Sequence, residues 1–486
     1  MKVAFRIDSS PTIGLGHINR TLVLAEEFKK NKVKVFFLNS NFKKNYDNLI
    51  KKKGFNLIKL NDNEISEKSF NETAISEDSK KVSTFVKKNK IDLTIIDNYL
   101  INAKWEEEVS KNCKIILISD FLKRKTFCDY LIQYHLSSEN NFKKYLLNKN
   151  CKVLSDPQYT IIKKQPIPKI LSQNRKKVFI YMGGADSKFF TEKIIKILNK
   201  KFFYKYKFFI LVKKERAKSV KKLCAKNNNF IILSKHYKNL SSLAAKCSII
   251  ISNMGTSMYE FSKLRAKLII VPQSDTHKRI AANLKNFDLF DIVYNLKKLK
   301  NKKLFYISKE DLVKSNNRQS IYDGKGSERI VKLLLSNFNK IKLTNYLNSD
   351  KYFLFNLVND ARVRAYSFNK KKISFRNHVK WLKKILINKN NKIMIFIVNK
   401  IRAGQVRVEK DSSGYKLDYS ISNEFRGMNF GSKMLNLFIK SSNLSNIYAL
   451  TKKNNFSSIK CLQKVNFSKV SSKKYLKFNL NLNKVN

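Results

Sequence analysis

A short apolar strand, Val3 to Ile7, meets an apolar-periodic helix, Thr21 to Phe28, across a loop that holds Gly14, Gly16 and His17. No other feature constrains the fold of this chain as tightly. The run reads Arg6-Ile7-Asp8-Ser9-Ser10-Pro11-Thr12-Ile13-Gly14-Leu15-Gly16-His17-Ile18-Asn19-Arg20. A strand delivered into a helix through two closely spaced glycines predicts a βα unit whose backbone can approach a ligand. The helix start offers free N–H groups to negative charge. His17 falls where loop becomes helix, so its imidazole can face whatever the loop holds. A histidine so placed points to chemistry on a phosphorylated substrate. A plain βα turn with a structural histidine accounts for the same residues, because isolated glycine spacings recur in many folds.

The alternation continues to about residue 160. Strand-like runs at Val33–Leu38, Leu93–Asp97 and Lys114–Ser119 are separated by helical stretches. This predicts a parallel α/β sheet with ligands gathered at the C-terminal strand ends. Asp97 and Asp120 close two of those strands, where either aspartate could cap a following helix. Gln165-Pro166-Ile167-Pro168 marks a linker. A second lobe then opens with the strand Lys177–Met182 and Gly183-Gly184-Ala185-Asp186, a glycine pair suited to cradling phosphate. Later the strand Ile249–Ser252 runs into Asn253-Met254-Gly255-Thr256-Ser257-Met258-Tyr259-Glu260. Glu260 could be an exposed helix carboxylate. Leu268–Pro272 and the stretch 273–283 with His277 follow, and a surface position suits His277 equally well.

A chain of 486 residues with 43% hydrophobic content has room for about three packed domains. The net charge of +64 raises the question of nucleic acid. Lysines number 85 against 15 arginines, however, and they are spread over the whole chain. Specific recognition of bases and phosphates recruits arginine. The charge therefore predicts non-specific attraction to polyanions at low salt, with no specific nucleic-acid partner. No apolar run is long enough to span a bilayer, and the N-terminus is not a signal peptide. The six cysteines form neither a Cys-x-x-Cys nor a disulfide framework, so no metal site is expected and a cytoplasmic setting fits.

Residues 336–350 are Asn- and Lys-rich and read as a linker to a different domain. Three strand-like runs, Met394–Val398, Ala403–Val408 and Lys416–Ser422, precede Asn423-Glu424-Phe425-Arg426-Gly427-Met428-Asn429-Phe430-Gly431, which opens a helix through Ile439. Such a turn can wrap a pyrophosphate with successive N–H groups. After the strand Ile447–Leu450 comes Asn455-x-x-Ser458-Ile459-x-x-Leu462-x-Lys464-x-Asn466-Phe467. His378-x-x-Trp381 stands at helical spacing that packing alone would explain.

The string Arg-x-Asp-x-Ser, Ile-Gly-x-Gly-His and Arg20 resembles the N-terminus of the UDP-sugar hydrolases of pseudaminic acid biosynthesis. These release UDP from UDP-2,4-diacetamido-2,4,6-trideoxy-β-L-altrose on a fold like that of the GT-B glycosyltransferases. The resemblance covers about residues 1–335. It implies His17 as catalytic base, with Arg6, Asp8, Gly14, Gly16, Arg20, Asp97 and Asp120 on the sugar side. It places UDP on Gly183, Gly184, Asn253, Gly255 and Ser257, with Glu260 on ribose. The tail resembles the GNAT N-acetyltransferases, whose acetyl-coenzyme A loop matches Arg426, Gly427, Met428, Asn429, Phe430 and Gly431. Asn455 opens the helix that flanks the pantetheine in that family. Asn429 and Asn466 stand where glycine is usual, and Leu462 near where many members carry a tyrosine acid. The segment Asp360 to Trp381, His378 included, is most similar to the sugar-amine acetyltransferase of the same pathway.

The implied fold is α/β throughout: two Rossmann-like lobes, residues 1–165 and 166–337, followed by an α+β GNAT domain at 345–486. The implied substrates are UDP-linked 6-deoxy-aminosugars, with acetyl-CoA as acyl donor, no metal and no membrane partner. The expected activities are UDP-sugar hydrolysis and 4-N-acetylation of the precursor sugar. A glycosyltransferase using the same two lobes, a hydrolase for another UDP-diaminosugar, and a basic polyanion-binding protein are the alternatives.

Overall fold

The structure is a computed structural model that describes residues 1–10, 13, 15–43, 45–66, 69–120, 122, 124–135, 142, 144–163, 176–184, 186, 188–225, 227–234, 240–335, 340–470 and 475–480. The expected linker at 165–168, together with Gly14 and Ala185, lies outside the described residues. The chain forms two compact units. One comprises Met1–Ser137, Phe142–Cys151 and Pro157–Val331; the other comprises Ser138–Asn141, Lys152–Asp156 and Lys332–Asn486.

The first unit contains two parallel sheets of the doubly wound kind. In one, Lys2–Ile7 lies between Lys34–Asn39 and Leu93–Asp97, with Asn56–Lys59 beyond the former and Lys114–Ile118 and Tyr130–Ile132 beyond the latter. In the other, Lys177–Tyr181 lies between Lys207–Leu211 and Ile249–Asn253. Phe230–Leu233 flanks the former; Lys267–Val271 and Asp291–Ile292 flank the latter. These are the two Rossmann-like sheets of a GT-B-like arrangement. In each, strand order reverses beside the first strand, and a crevice for ligand opens there at the C-terminal strand ends. The strands are near-continuous runs of Ile, Leu, Val and Phe because helices cover both faces. Side-chain oxygens start several helices: Asn71 accepts from Ala74 N, Asn102 from Trp105 N, and Ser274 from His277 N.

The second unit is built on a mixed sheet. Ile341–Asn345, Lys392–Val398, Ile401–Asp411 and Gly414–Ile421 are successively antiparallel. Gly414–Ile421 then pairs in parallel with Ile447–Thr451, which pairs antiparallel with Leu476–Leu480. The parallel register holds only for Tyr415↔Ile447, Lys416↔Tyr448 and Leu417↔Ala449, so the two strands part after Leu417. This parting, with the helix Phe430–Ser441 that follows, completes an α+β unit. Helices Lys351–Val358 and Phe375–Ile387 pack Phe353, Leu354, Leu357, Leu382 and Ile385 against Ile393 and Ile395. The stretch read as a linker contains the strand Ile341–Asn345. Ile341 and Leu343 alternate with polar residues and pair with Val398 and Phe396, a period-2 pattern hidden by the Asn/Lys bias.

Candidate active site

His17 sits in the first turn of the helix Gly16–Lys30, and Asp97 ends the strand beside Lys2–Ile7. The two meet at the reversal of strand order. His17 Nδ1 lies 2.5 Å from Asp97 Oδ1. Arg20, one helical turn on, donates from Nε to Asp97 Oδ2 at 2.5 Å and from Nη2 to Asp97 Oδ1 at 2.6 Å. Its Nη1 donates to Asp120 Oδ1 at 2.5 Å. Tyr99 donates to Asp120 Oδ2 at 2.6 Å, and its ring packs edge-on against His17 with centroids 4.8 Å apart. With Nδ1 held by a carboxylate, Nε2 is the nitrogen left to accept a proton.

The electrostatics suit that task. Burial alone would push Asp97 up, but Arg20 and then His17 hold its carboxyl below the ordinary range. Against the same burial penalty, Arg20 and His135 hold Asp120 well below it. Two carboxylates and one guanidinium leave one negative charge in this buried cluster, and an imidazolium at His17 would balance it. The Asp120 carboxylate that Tyr99 donates to raises its phenol, and burial pushes Tyr134 up to about 12.

The loops of the second sheet face this cluster. A Cβ at Gly184 would stand 4.0 Å from Leu15 Cδ1, in the Gly-His loop itself. Gly183 has φ +88°, and a Cβ there would come within 2.6 Å of Asn253 Nδ2, so only glycine fits. Asn253 is buried beneath Gly183 and Gly255, and its Oδ1 has no partner among the described residues. Asn253 Nδ2 lies 3.5 Å from Gln273 Oε1, and Gln273 Nε2 donates to Asp186 Oδ1 at 3.2 Å. Three loops are thereby tied together. Ser257 is buried on the short helix Thr256–Phe261. Burial raises the Glu260 carboxyl, with Lys263 and Lys163 pulling it back. His277 accepts from Gln273 N at 3.4 Å through Nδ1; burial lowers its proton affinity while nearby Asp120 raises it. His277 therefore faces the cluster as well as the surface.

Several sequence expectations change here. Arg6 is no sugar contact. It is fully enclosed, with Nε and Nη2 donating to Asp78 at 3.1 and 2.8 Å and Nη2 also to Ser40 Oγ at 2.7 Å. Asp8 is likewise spent on Ser40 N at 2.8 Å and Asn98 Nδ2 at 2.6 Å. Arg20 is buried, with its guanidinium spent on two carboxylates. Asp97 is neither a helix cap nor a sugar contact; Asn102 caps the next helix. Asp120 likewise spends its oxygens on Arg20, Tyr99 and His135. A Cβ at Gly16 would meet nothing within 4 Å, so that face of the loop is open. Sequence reasoning missed Tyr99, His135 and Tyr259 as site residues. The available signal was their position just past a strand end or beside the Gly-Thr-Ser turn.

In the second unit, a cleft of about 990 Å³ opens where the strands part. Arg426, Gly427, Asn429, Phe430, Gly431 and Asn455 line it, whereas Met428 does not. Asn429 adopts φ +59° and Asn466 φ +65°, so both asparagines take the left-handed conformation usually given to glycine. Arg426 donates from Nε to Ile421 O at 2.9 Å and from Nη2 to Asp360 Oδ1 at 2.8 Å; its buried Nη1 has no partner among the described residues. Asn455 accepts from Ser458 N and so caps the helix Phe456–Lys464. Leu462 is packed in the core. Tyr419, on the parted stretch, holds its hydroxyl 2.9 Å from Ser458 Oγ, and burial holds it well above the usual phenol range. His378 is a packing residue on the cleft wall. Its Nε2 bonds to Lys351 O at 3.0 Å, and burial lowers it to about 4.

No family model matches the chain. An uncharacterized protein of Methanocaldococcus jannaschii is 23% identical over 515 residues, covering 96% of this chain and 97% of that protein. The UDP-2,4-diacetamido-2,4,6-trideoxy-beta-L-altropyranose hydrolase of Campylobacter jejuni is 27% identical over 273 residues, covering 55% of this chain and 89% of the hydrolase. Among solved structures, Acinetobacter baumannii MurG covers 69% of this chain and 100% of its own, at 14% identity and TM-score 0.49. The spermidine N-acetyltransferase of Vibrio cholerae, in complex with CoA and spermine, covers 30% of this chain and 96% of its own, at 16% identity and TM-score 0.28. Over just above half its length the chain is thus a partial homologue of a UDP-sugar hydrolase. Among the described residues, no helix is long and apolar enough to cross a membrane.

Proposed function

We propose that the chain is a bifunctional cytoplasmic enzyme of nonulosonic (pseudaminic) acid biosynthesis. Residues 1–165 and 166–337 hydrolyse UDP-2,4-diacetamido-2,4,6-trideoxy-β-L-altropyranose to UDP and the free sugar. Residues 345–486 acetylate the 4-amino group of the precursor UDP-sugar. The observation that carries the reading is the His17–Asp97 pair, at a loop whose Leu15 lies beside Gly184 of the second sheet's glycine turn. Similarity to the Campylobacter hydrolase supports it.

Asp97 accepts a hydrogen bond from the Nδ1–H of His17, so Nε2 presents a lone pair to water. Water attacks the anomeric carbon, the C1–O bond to the diphosphate breaks with its electron pair leaving on UDP, and His17 keeps the water's proton. The negative charge left by Asp97, Asp120 and Arg20 steadies that proton. The diphosphate lies against Gly183, Gly184 and Ser257, with Glu260 on ribose hydroxyls. Backbone N–H groups in those turns stabilise the departing charge.

The cleft of the second unit fits acetyl-CoA: Arg426 keeps one buried N–H group free, and left-handed Asn429 turns the loop toward a pyrophosphate. Acetyl-CoA would supply an activated acetyl thioester. Tyr419 is placed to give a proton to a leaving thiolate. The test measures UDP release and coenzyme A thiol release from the UDP-2-acetamido-4-amino-6-deoxy sugar, with and without acetyl-CoA. UDP that appears only with acetyl-CoA is the expected result. Thiol without UDP would overturn the hydrolase half and favour a glycosyltransferase.

A further inference from the structure

The hydrogen-bond chain does not end at Asp120. His135 follows the strand Tyr130–Ile132, with Nε2 3.3 Å from Asp120 Oδ1 and Nδ1 hydrogen-bonded to the Tyr259 hydroxyl. Tyr259 belongs to the second sheet's helix Thr256–Phe261, two residues after Ser257 and one before Glu260. Its buried ring packs edge-on to Tyr134, 5.8 Å between centroids, and against Tyr322 at 5.1 Å. Burial, with Tyr322 and Tyr134 adding, keeps the phenol protonated well above the usual range. The Asp120 carboxylate can only accept, so His135 carries its proton on Nε2 toward Asp120, and the Tyr259 hydroxyl donates to Nδ1. Both ring nitrogens of His135 are then engaged, so this second histidine is not a second base.

We propose that Tyr259 and His135 are positioning residues for His17: they clamp Asp120, so that Arg20 stays on Asp97 and Asp97 holds the imidazole ready to accept a proton. The proposal rests on the reading of His17 as the base. Asp120 receives donors from Arg20, Tyr99 and His135. Without the His135 donor, more of its charge falls to Arg20, which is drawn away from Asp97. A less compensated Asp97 makes His17 hold its proton more tightly. The titratable groups in contact with His17 are Asp97 and Tyr99 past the neighbouring strand and Arg20 on its own helix. Around Arg20 and Asp120 stand Tyr134 and His135 from the next strand, with Tyr259 on His135 and the charge of Asp120 felt at His277 from the second sheet. Among the described residues, the Tyr259–His135 hydrogen bond and the packing of Tyr259 on Tyr134 join this set to the helix that carries Ser257 and Glu260.

The test is Tyr259→Phe, which keeps the packed ring and removes only the hydroxyl. The His17 imidazole is followed by NMR in histidine-labelled full-length protein and assigned with His17→Gln. Its titration midpoint should rise by roughly half a unit or more. The kcat for UDP release at pH 7 should fall about tenfold with KM unchanged, recovering toward high pH. His135→Asn should shift the midpoint the same way, and the double variant should go no further than the larger single shift. A midpoint that stays put or falls in both single variants overturns the proposal. Should the wild-type protein release no UDP from any UDP-sugar, the base reading fails, while the titration still decides whether Tyr259 and His135 govern His17. If Tyr259→Phe does not fold, His135→Asn gives the same readout.

Discussion

Around His17 the hydrogen-bonding groups are charged side chains saturated by one another; the cleft of the second unit is open, set between two strands that part and a loop turned by left-handed residues, and lined by polar side chains such as Arg426, Tyr419 and Asn455. Asp97, Asp120 and Arg20 are all engaged within the protein. Arg426, by contrast, still has an unused N–H group. The first arrangement suits moving one proton at a fixed place, because every dipole around that proton is already oriented. The second suits holding a long, flexible ligand whose own polar groups complete the pairing. Side-chain substitutions should therefore be severe in the first site and mild in the second.

The largest effect should come from His17→Ala, which should slow UDP release by about 10²- to 10⁴-fold while leaving thiol release unchanged. Equal loss of both activities in a coupled assay would end the division of labour drawn here. Next, Arg20→Met strands Asp97 and Asp120 without their shared cation and should destabilise the first unit by about 3–5 kcal/mol, read from urea denaturation at pH 7.

Acidification should separate the units. His378 is held at about 4, below the ordinary histidine value. The stability that this lowered value contributes is therefore complete above about pH 6.5 and is lost as pH falls toward 4. Its size is on the order of 3 kcal/mol. Asp97 and Asp120 are held below the ordinary carboxylate value, so their contribution survives until pH falls below about 4. The second unit should lose this contribution first, and His378→Gln should flatten its pH dependence between those limits. A melting profile in which His378→Gln changes nothing there would contradict the assignment. The smallest effect should come from Asn429→Gly, which relieves a left-handed side chain at the cost of a floppier unfolded chain; it should change stability by less than about 1 kcal/mol and leave CoA binding within a few-fold by calorimetry.

Much of this was legible because it is local. The Gly-His turn, the Gly-Gly turn and the Arg426–Gly431 loop each lie within a dozen residues, and the asparagines at 429 and 466 could be judged by their tolerance of positive φ. What was not legible depends on partners far apart in sequence. Asp97 could be placed at a strand end, but its partner His17 lies 80 residues away. Arg6 was misassigned by adjacency: it lies in a strand buried on both faces, where a cation must find internal partners, here Asp78 and Asp8. His135 and Tyr259 are 124 residues apart, and nothing in the Asn253–Glu260 run signals that Tyr259 reaches His135.

The strands Gly414–Ile421 and Ile447–Thr451 keep company for three residue pairs and then separate. Past that point each presents an edge inside the molecule, with the same unfinished ladder that makes outer edges of sheets prone to stray pairing. A ligand that fills the gap would act as the missing strand, and by mass action its presence would hold the second unit together while leaving the first unaffected. The supply of that ligand would then govern how long the second unit survives as well as how fast it works.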